Sequence, residues 1–205
     1  MIVKVCGMRD AENIREVEQL FTLHSSLLTP WMGFIFWSKS SRYVSEKPDY
    51  LPTKCKRVGV FVDEDIEVVK KIAQDYALDY IQLHGNETPD YCALLKGHKL
   101  IKAFNIAIAE DFEQTKPYQG FVDYFLFDTK GKSVGGNGTK FDWSVLDDYH
   151  GTTPFILSGG IGPDDAARIR SFHHPQLAGI DLNSKFEDAP ALKNIQKLKT
   201  FLEQL

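Results

Sequence analysis

The chain has 205 residues, which is long enough for one domain with a substantial core. It is 43% hydrophobic and 25% charged, and no apolar run approaches the roughly 20 residues needed to cross a bilayer, which excludes a membrane-spanning protein. The 24 basic and 28 acidic residues are mixed along the chain and leave a net charge of -4, which excludes a broad nucleic-acid-binding surface.

Eight apolar runs rich in β-branched and aromatic residues predict eight strands. In chain order they cover residues 2–5, 31–36, 57–62, 80–83, 100–104, 122–127, 154–157 and 179–182. Met1 leads directly into the first strand without the basic and apolar segments of a secretory signal, which favours a cytoplasmic protein.

Amphipathic helices are predicted between the strands, from apolar residues at helical spacing. The stripes are Ile14, Val17 and Phe21; Ile66, Val69, Ile72 and Tyr76; and Leu192, Ile195, Leu198 and Leu202. Thr88 and Pro89 indicate a helix start, Gly97 a helix end and Pro163 another start. Residues 45–52 hold two prolines and little periodicity, so the second helix is predicted to be short or irregular.

Apolar strands separated by helices predict a parallel sheet that is covered on its outer face. Eight such units favour closure into a single (β/α)8 TIM barrel, and because such barrels typically have roughly 250 residues, this α/β chain would need short loops. An open, doubly wound sheet is the alternative. No linker, repeat or low-complexity tract divides the chain, so residues 1–205 are predicted to form one catalytic domain.

In a barrel of this kind, the residues that follow the strands form one mouth, where active sites lie. Polar or glycine-rich residues follow most of the predicted strands here. They are Cys6 after the first strand, Arg42 after the second, Gln82 and His84 at the fourth, Asp128 after the sixth, Ser158, Gly159 and Gly160 after the seventh, and Asp181, Asn183 and Ser184 after the eighth. We expect these residues to converge on one substrate.

The turn at Ser158, Gly159 and Gly160 precedes a predicted helix and suits an anion. Its glycines would let backbone N–H groups approach a phosphate closely, and a helix dipole would favour the negative charge. Its pairing with the loop after the eighth strand matches the recurrent phosphate site of barrel enzymes. A plain tight turn is the alternative, since glycine is common in turns.

Cys6 and Asp128 are the candidates for acid–base chemistry. A lone cysteine is often a small buried hydrophobe, and we assign Cys55 and Cys92 that role. Cys6 lies at the catalytic end of its strand, where a nearby cation could favour the thiolate and make it a base. Asp128 follows a very apolar strand, where burial could raise its pKa and make it an acid; a strand-end cap is the alternative.

Arg42 and His84 have both a structural and a functional interpretation. Arg42 could be a solvated loop cation, or it could pair bidentately with a substrate carboxylate. His84 could be a hydrogen-bonded residue at the end of its strand or part of the site. Three cysteines without CxxC spacing and histidines without ligand spacing indicate neither a disulfide framework nor a metal site.

Several segments resemble one family in order and spacing along nearly the whole chain. They are Lys4-Val5-Cys6-Gly7, Gly33 to Phe36 followed by Ser38 to Val44, Gln82 to Gly85, Asp128-Thr129 with Gly135 to Trp143, Ser158 to Ile161, and Gly179 to Ser184. The family is that of the phosphoribosylanthranilate isomerases. The cysteine–glycine opening combined with the glycine-rich loop before Phe141-Asp142-Trp143 is its most specific part.

The resemblance implies an enzyme of tryptophan biosynthesis that performs an Amadori rearrangement without a cofactor. The substrate would be N-(5-phosphoribosyl)anthranilate, with Asp128 as the general acid, Cys6 as the base that removes the C2 proton, and Arg42 against the anthranilate carboxylate. The backbone around a further set of residues would bind the phosphate. That set is Gly136, Gly138, Gly159, Gly160, Asn183 and Ser184. Small-molecule chemistry is thus expected without nucleic acid or membrane, in a monomer or homodimer.

The chain departs from the family pattern at two places. Trp37-Ser38 stands where a tyrosine–proline pair is usual, and Lys185 stands where a glycine is common after the eighth strand. A side chain at Lys185 would disfavour a positive φ, which questions the contribution of this loop to phosphate binding. Lys185 could instead supply a cation.

Two other functions compete with this interpretation. A different phosphosugar isomerase, including the related histidine-pathway enzyme, could use the same phosphate site, although that relative is expected to have an aspartate where this chain has Cys6. A phospholigand-binding barrel without activity is the alternative from a different class, and it would not need both Cys6 and Asp128.

Overall fold

The protein is a closed barrel of eight parallel strands, in a computed structural model that describes residues 1–23, 28–129 and 143–205. The strands are β1 (Ile2–Cys6), β2 (Thr29–Ile35), β3 (Lys56–Phe61), β4 (Tyr80–Leu83), β5 (Lys99–Asn105), β6 (Tyr124–Asp128), β7 (Phe155–Ser158) and β8 (Leu177–Leu182). Each pairs with the next, and β8 pairs with β1. The predicted barrel is therefore confirmed, and an open sheet is excluded.

Helices and a small hairpin connect and cover the strands. The α-helices are α1 (Ala11–Leu23), α2 (Ile66–Asp75), α3 (Pro89–Leu94), α4 (Ala166–Ser171) and α5 (Ile195–Gln204). The 3-10 helices are Ala109–Tyr118, Trp143–Asp148, Pro163–Asp165 and Ser184–Phe186, and the hairpin is β9 (Glu187–Ala189) with β10 (Leu192–Lys193). Short 3-10 helices in place of longer α-helices help to explain how a barrel fits in 205 residues. Within the described ranges, no helix has the length and apolar character to span a membrane.

The helix signals in the sequence are mostly confirmed. The Thr88 side chain caps α3 by accepting a hydrogen bond from the Tyr91 backbone N–H at 3.3 Å, and Gly97 lies beyond the helix end with a φ of +103°. No helix forms between β2 and β3, in keeping with the prolines there. One prediction is wrong: Leu192 belongs to β10, not to the last helix, because Asn194 caps that helix.

Two apolar layers hold the barrel together. Alternate residues of the strands point outward and pack against the helices, and Val3, Phe125 and Phe155 belong to this outer layer. The other set points into the barrel and fills it around Trp31, with Ile2 among its neighbours. Inside the barrel, the residues become polar toward the carboxyl ends of the strands, where the predicted site residues stand.

Candidate active site

A cavity of about 150 Å³ opens at the carboxyl ends of the strands. The predicted site residues that line it are Cys6, Arg42, Gln82, His84, Asp128, Gly159, Gly160, Asp181, Asn183 and Ser184. Gly136 and Gly138, also predicted to bind substrate, lie outside the described residues. The structure therefore brings together every predicted site residue that it describes.

A buried ion pair forms part of the site beneath the cavity. The Lys4 ammonium donates a hydrogen bond to Asp181 Oδ1 at 2.9 Å, and the Ser158 hydroxyl contacts Asp181 Oδ2 at 3.3 Å. Lys4 and Asp181 are directly opposite in the register of β1 and β8. Burial opposes the charge of Lys4, but Asp181 and Cys6 together outweigh this effect and raise the pKa of Lys4, so that it remains a cation.

Cys6 is the last residue of β1, and its side chain is 4% exposed. The sequence predicts that a nearby cation favours the thiolate, and Lys4 is that cation. Burial acts in the opposite direction and predominates, so the pKa of the Cys6 thiol is raised above its usual value. The thiol thus depends on its charged neighbours for any basic character.

Asp128 ends β6 and is buried beside the glycine turn that follows β7. A Cβ on Gly159 would lie only 2.8 Å from Asp128 Oδ1 and 2.6 Å from the Thr129 backbone nitrogen, and Gly159 has a φ of +101°. Both the close approach and the left-handed backbone require glycine there. The turn is therefore packed directly against the candidate acid.

The glycine turn and the loop after β8 form the candidate phosphate end of the cavity. Gly160 has a φ of +69° and open space where a Cβ would be, so a ligand could approach its backbone. The helix predicted after this turn begins as a short 3-10 helix, and α4 itself begins only at Ala166. Backbone groups of the turn, rather than the end of a helix, therefore line the cavity.

Lys185 occupies the position where the family pattern commonly has glycine. It lies in the 3-10 helix after β8, does not have a positive φ, and lines the cavity. The conformational objection to a lysine at this position therefore does not apply, and the loop brings a cation to the candidate phosphate end of the cavity.

Arg42 is held at the cavity by a carboxylate of the protein itself. Its Nε and Nη2 donate to Glu187 at 2.9 and 2.6 Å, and Glu187 Oε1 also accepts from Lys193 Nζ at 2.5 Å. Burial disfavours the Glu187 charge, but the hydrogen bonds from the two cations lower its pKa overall. Arg42 Nη1 makes no hydrogen bond within the described ranges, so that nitrogen can meet a ligand.

Gln82 and His84 lie on the same inward face of β4 and its extension. Gln82 Nε2 is 2.9 Å from His84 Nδ1, and Gln82 Oε1 is buried without a partner among the described residues. Burial lowers the pKa of His84, although Asp128 opposes this shift. Near neutrality, the pair therefore offers uncharged donors and acceptors to the cavity.

Three site residues are absent from the sequence-based set of candidates: Lys4, Glu187 and Lys193. A signal exists for Lys4, because a lysine two residues before Cys6 in an apolar strand must share its inward face. Glu187 and Lys193 have no comparable local signal. Across the parts of the chain that the structure describes, no group of three or more His, Cys, Asp or Glu side chains could hold a metal ion.

A second concavity of about 590 Å³ lies at the opposite end of the barrel, near Met1, His173 and Leu205. It is larger and more open than the polar cavity, but it contains none of the predicted site residues. The smaller cavity is the candidate active site, because Cys6, Asp128 and the other described site candidates line it.

Comparison with known proteins identifies the family of the chain. Residues 3–204 match the family model for N-(5'phosphoribosyl)anthranilate (PRA) isomerase. The chain is 53% identical to N-(5'-phosphoribosyl)anthranilate isomerase of Parabacteroides distasonis, over all of this chain and 93% of that protein.

Solved structures give the same result. The phosphoribosylanthranilate isomerase of Thermotoga maritima is 31% identical with a TM-score of 0.77, over all of this chain and 98% of that one. A phosphoribosylanthranilate isomerase in complex with reduced 1-(o-carboxyphenylamino)-1-deoxyribulose 5-phosphate is 29% identical with a TM-score of 0.76, at the same coverage. The chain belongs to the N-(5'-phosphoribosyl)anthranilate isomerase family, a family of aldose–ketose isomerases of tryptophan biosynthesis.

Proposed function

We propose that this chain converts N-(5-phosphoribosyl)anthranilate to 1-(2-carboxyphenylamino)-1-deoxyribulose 5-phosphate with Asp128 as acid and Cys6 as base. The observation that carries the proposal is the single cavity that joins these two groups to Arg42 and to the glycine turn after β7. A relative that holds a reduced form of the product supports the same substrate class.

Ring opening is the step assigned to Asp128. Its carboxylic acid protonates the ribose ring oxygen while the anthranilate nitrogen lone pair breaks the bond between C1 and that oxygen. The product of this step is an open-chain iminium, and the Asp128 carboxylate remains. Proton donation by a positioned acid typically contributes about 100-fold or more to a rate.

Proton removal from C2 is the step assigned to Cys6. The thiolate takes the proton, the electrons of the broken C2–H bond form a double bond between C1 and C2, and the iminium nitrogen regains its lone pair. The resulting enol then becomes the ketone as a proton is lost from oxygen and gained at C1. The iminium acidifies the C2 proton, so a modest base is sufficient.

The two ends of the cavity suit the two ends of the substrate. The free Nη1 of Arg42 can donate to the anthranilate carboxylate while Glu187 holds the rest of the guanidinium. Gly159, Gly160 and the loop after β8 suit the phosphate. Uncharged donors and acceptors in the middle suit the ribose hydroxyls. They belong to Gln82, His84 and the polar atoms around Asp181, Asn183 and Ser184.

The test follows anthranilate fluorescence during turnover of freshly generated substrate, with a protein-free sample to measure spontaneous breakdown. Wild type should convert the substrate rapidly, and Cys6→Ala should lower kcat by at least about 100-fold. Cys92→Ala is the matched control, because Cys92 is also buried but lies on α3 outside the cavity.

Two outcomes would contradict the proposal. No conversion by folded wild type would favour another phosphosugar reaction, or a binding role, over this isomerisation. Near-normal turnover by folded Cys6→Ala would remove Cys6 from the mechanism.

Residues 1–205 act, in this proposal, as one catalytic domain in the cytoplasm. The buried free thiols of Cys6, Cys55 and Cys92 fit a reducing compartment. For assembly, we propose a monomer or a homodimer, and the Thermotoga maritima relative is described as dimeric. Sedimentation equilibrium distinguishes the two states, and fractionation of cells tests the location.

A further inference from the structure

Lys4 is a lysine whose side chain is 0% exposed, inside the barrel of an enzyme whose proposed mechanism does not use it. Lysine is almost never buried to this extent unless it is paired, and its partner is Asp181 at 2.9 Å. A buried ion pair is often no more stabilising than well-packed apolar residues of similar volume. Stability therefore gives no sufficient reason for a charge at this position.

The position of Lys4 relative to Cys6 gives a reason. The two residues are two apart on β1, so their side chains leave the same face of the strand. The charge of Lys4 lowers the pKa of the Cys6 thiol, in opposition to the effect of burial. Lys4 is thus the cation that most strongly favours a thiolate on Cys6.

Gly33 provides the space for this contact. It is opposite Cys6 in the register of β1 and β2. A Cβ at Gly33 would lie 2.7 Å from Cys6 Sγ and 3.1 Å from Lys4 Cε, so a side chain there would separate or displace both groups. The absence of a side chain on β2 lets the sulfur and the ammonium stem lie side by side.

Asp181 holds Lys4 in place from the other side. It faces Lys4 across the pairing of β1 with β8, and its second oxygen contacts Ser158 on β7. The lysine stem is therefore fixed between two neighbouring strands, with its charge directed at one carboxylate and one sulfur. A flexible surface lysine would lose side-chain entropy to reach the same geometry.

We propose that Lys4 is a positioning residue that keeps the sulfur of Cys6 available as a thiolate during proton removal from the substrate. This inference rests on the proposed function, because it is Cys6 acting as a base that gives the lysine its role. Lys4 itself does not exchange a proton in the reaction; it stabilises the anion by its charge.

Other charged groups also face Cys6 and influence a thiolate at this position. Asp181 on β8 disfavours the thiolate, whereas Lys193 on β10 favours it, and Arg42 is close enough to interact with it. Arg42 and Lys193 are both paired with Glu187, which reduces their net effect. His84 and Asp128 also line the cavity. Lys4 is the largest of the influences that oppose the burial of the thiol.

The test measures alkylation of Cys6 by iodoacetamide across a pH series. A Cys55→Ala/Cys92→Ala background makes Cys6 the only cysteine of the chain. In that background, Lys4→Met should lower the alkylation rate near neutral pH by at least about tenfold, because the rate follows the thiolate fraction. The midpoint of the pH profile should move to higher pH, and Lys4→Arg should restore most of the rate.

Lys102→Met is the matched control for a general loss of stability. Lys102 is also a buried lysine with a carboxylate partner, Glu87 at 3.3 Å, but it does not line the cavity of Cys6. Its replacement should leave the pH profile of Cys6 alkylation unchanged. If Lys4→Met does not fold, Lys4→Met/Asp181→Asn removes the uncompensated carboxylate and is compared with Asp181→Asn alone.

Turnover gives the second measurement. Lys4→Met should lower kcat and move the rising limb of the kcat/KM profile to higher pH, with less than about a threefold change in KM. An unchanged alkylation profile in a folded Lys4 variant would overturn the role of Lys4. If wild type failed to isomerise the substrate but the alkylation profile still depended on Lys4, the proposed function alone would be contradicted.

Discussion

The two ends of the barrel interior differ sharply, although the same strands build both. At the amino ends, Trp31 stacks on Tyr80 with ring centroids 4.2 Å apart and meets the edge of Tyr124 at 5.5 Å. At the carboxyl ends, Cys6 and Asp128 line a polar cavity. One end is packed for stability and the other is arranged for chemistry.

The barrel interior changes from apolar to polar within two residues along a strand. On β1, Ile2 belongs to the apolar interior, whereas Lys4 is charged and Cys6 reaches the cavity. On β4, Tyr80 is aromatic and Gln82 is polar. Because alternate residues of a strand share a face, a single inward row can serve packing at one end and catalysis at the other. Substitutions should therefore have separable effects on stability and on turnover.

The largest effect is expected at the amino ends. Trp31→Ala should reduce the free energy of unfolding by about 3–5 kcal/mol, because it removes a large buried ring and leaves a cavity. Chemical denaturation measures the change. The control is Trp37→Ala, since Trp37 is 37% exposed and should cost far less. Equal losses in the two variants would contradict the separation of the two ends.

The next effect is on turnover, with stability little changed. Asp128→Asn should lower kcat by at least about 100-fold, which corresponds to roughly 2.7 kcal/mol in the barrier. Asp123→Asn is the control, because Asp123 precedes the same strand but bonds a backbone N–H of β5 at 2.8 Å, far from the cavity. Comparable kcat values for the two variants would exclude Asp128 as the acid.

A smaller effect is expected from the glycine turn. Gly159→Ala places a Cβ 2.6 Å from the Thr129 nitrogen, so the turn must move and KM should rise about tenfold, or ~1.4 kcal/mol of binding. Gly120→Ala has the same left-handed strain, at a φ of +83°, but no atom within 4 Å of the new Cβ. Steady-state kinetics compares them, and a KM rise in both variants would assign the effect to strain alone.

The smallest effect is a pH dependence that comes from His84. Burial lowers its pKa in the folded protein below the ordinary 6.5, so its contribution to stability is present above the unfolded pKa and is lost as pH falls through the folded value. His84→Gln should lose less stability than wild type as pH falls below about 6.5. Denaturation at a series of pH values measures this, and parallel curves would show that His84 does not contribute.

Much of the fold and of the site could be predicted, because local patterns encode them. The apolar runs specify the strands, and Cys6 and Asp128 stand at strand ends where a barrel collects its functional groups. The electrostatic surroundings of Cys6, however, could not be predicted. Whether burial or a cation dominates its pKa depends on the register between β1, β2 and β8, which the sequence does not display.

The contacts of Arg42 could not be predicted, for a related reason. Its partner Glu187 is 145 residues away in sequence, and no local pattern relates them. The position of Lys193 could not be predicted either. Leu192 continues the apolar spacing of α5 across the helix start, so the sequence pattern places both residues in the helix and not in β10. Asn194 was the available signal, since its side chain accepts from the Lys197 backbone N–H at 2.8 Å and marks the helix start.

The pairing of Lys4 with Asp181 has a consequence for the order of events during synthesis. The two residues are separated by 177 positions, so the first strand leaves the ribosome long before the last one exists. Until then, the Lys4 ammonium cannot pair with Asp181. The final strand therefore completes the hydrogen-bonded ring and the electrostatic surroundings of the sulfur together, once it has left the ribosome, and a nascent chain that lacks it can have neither.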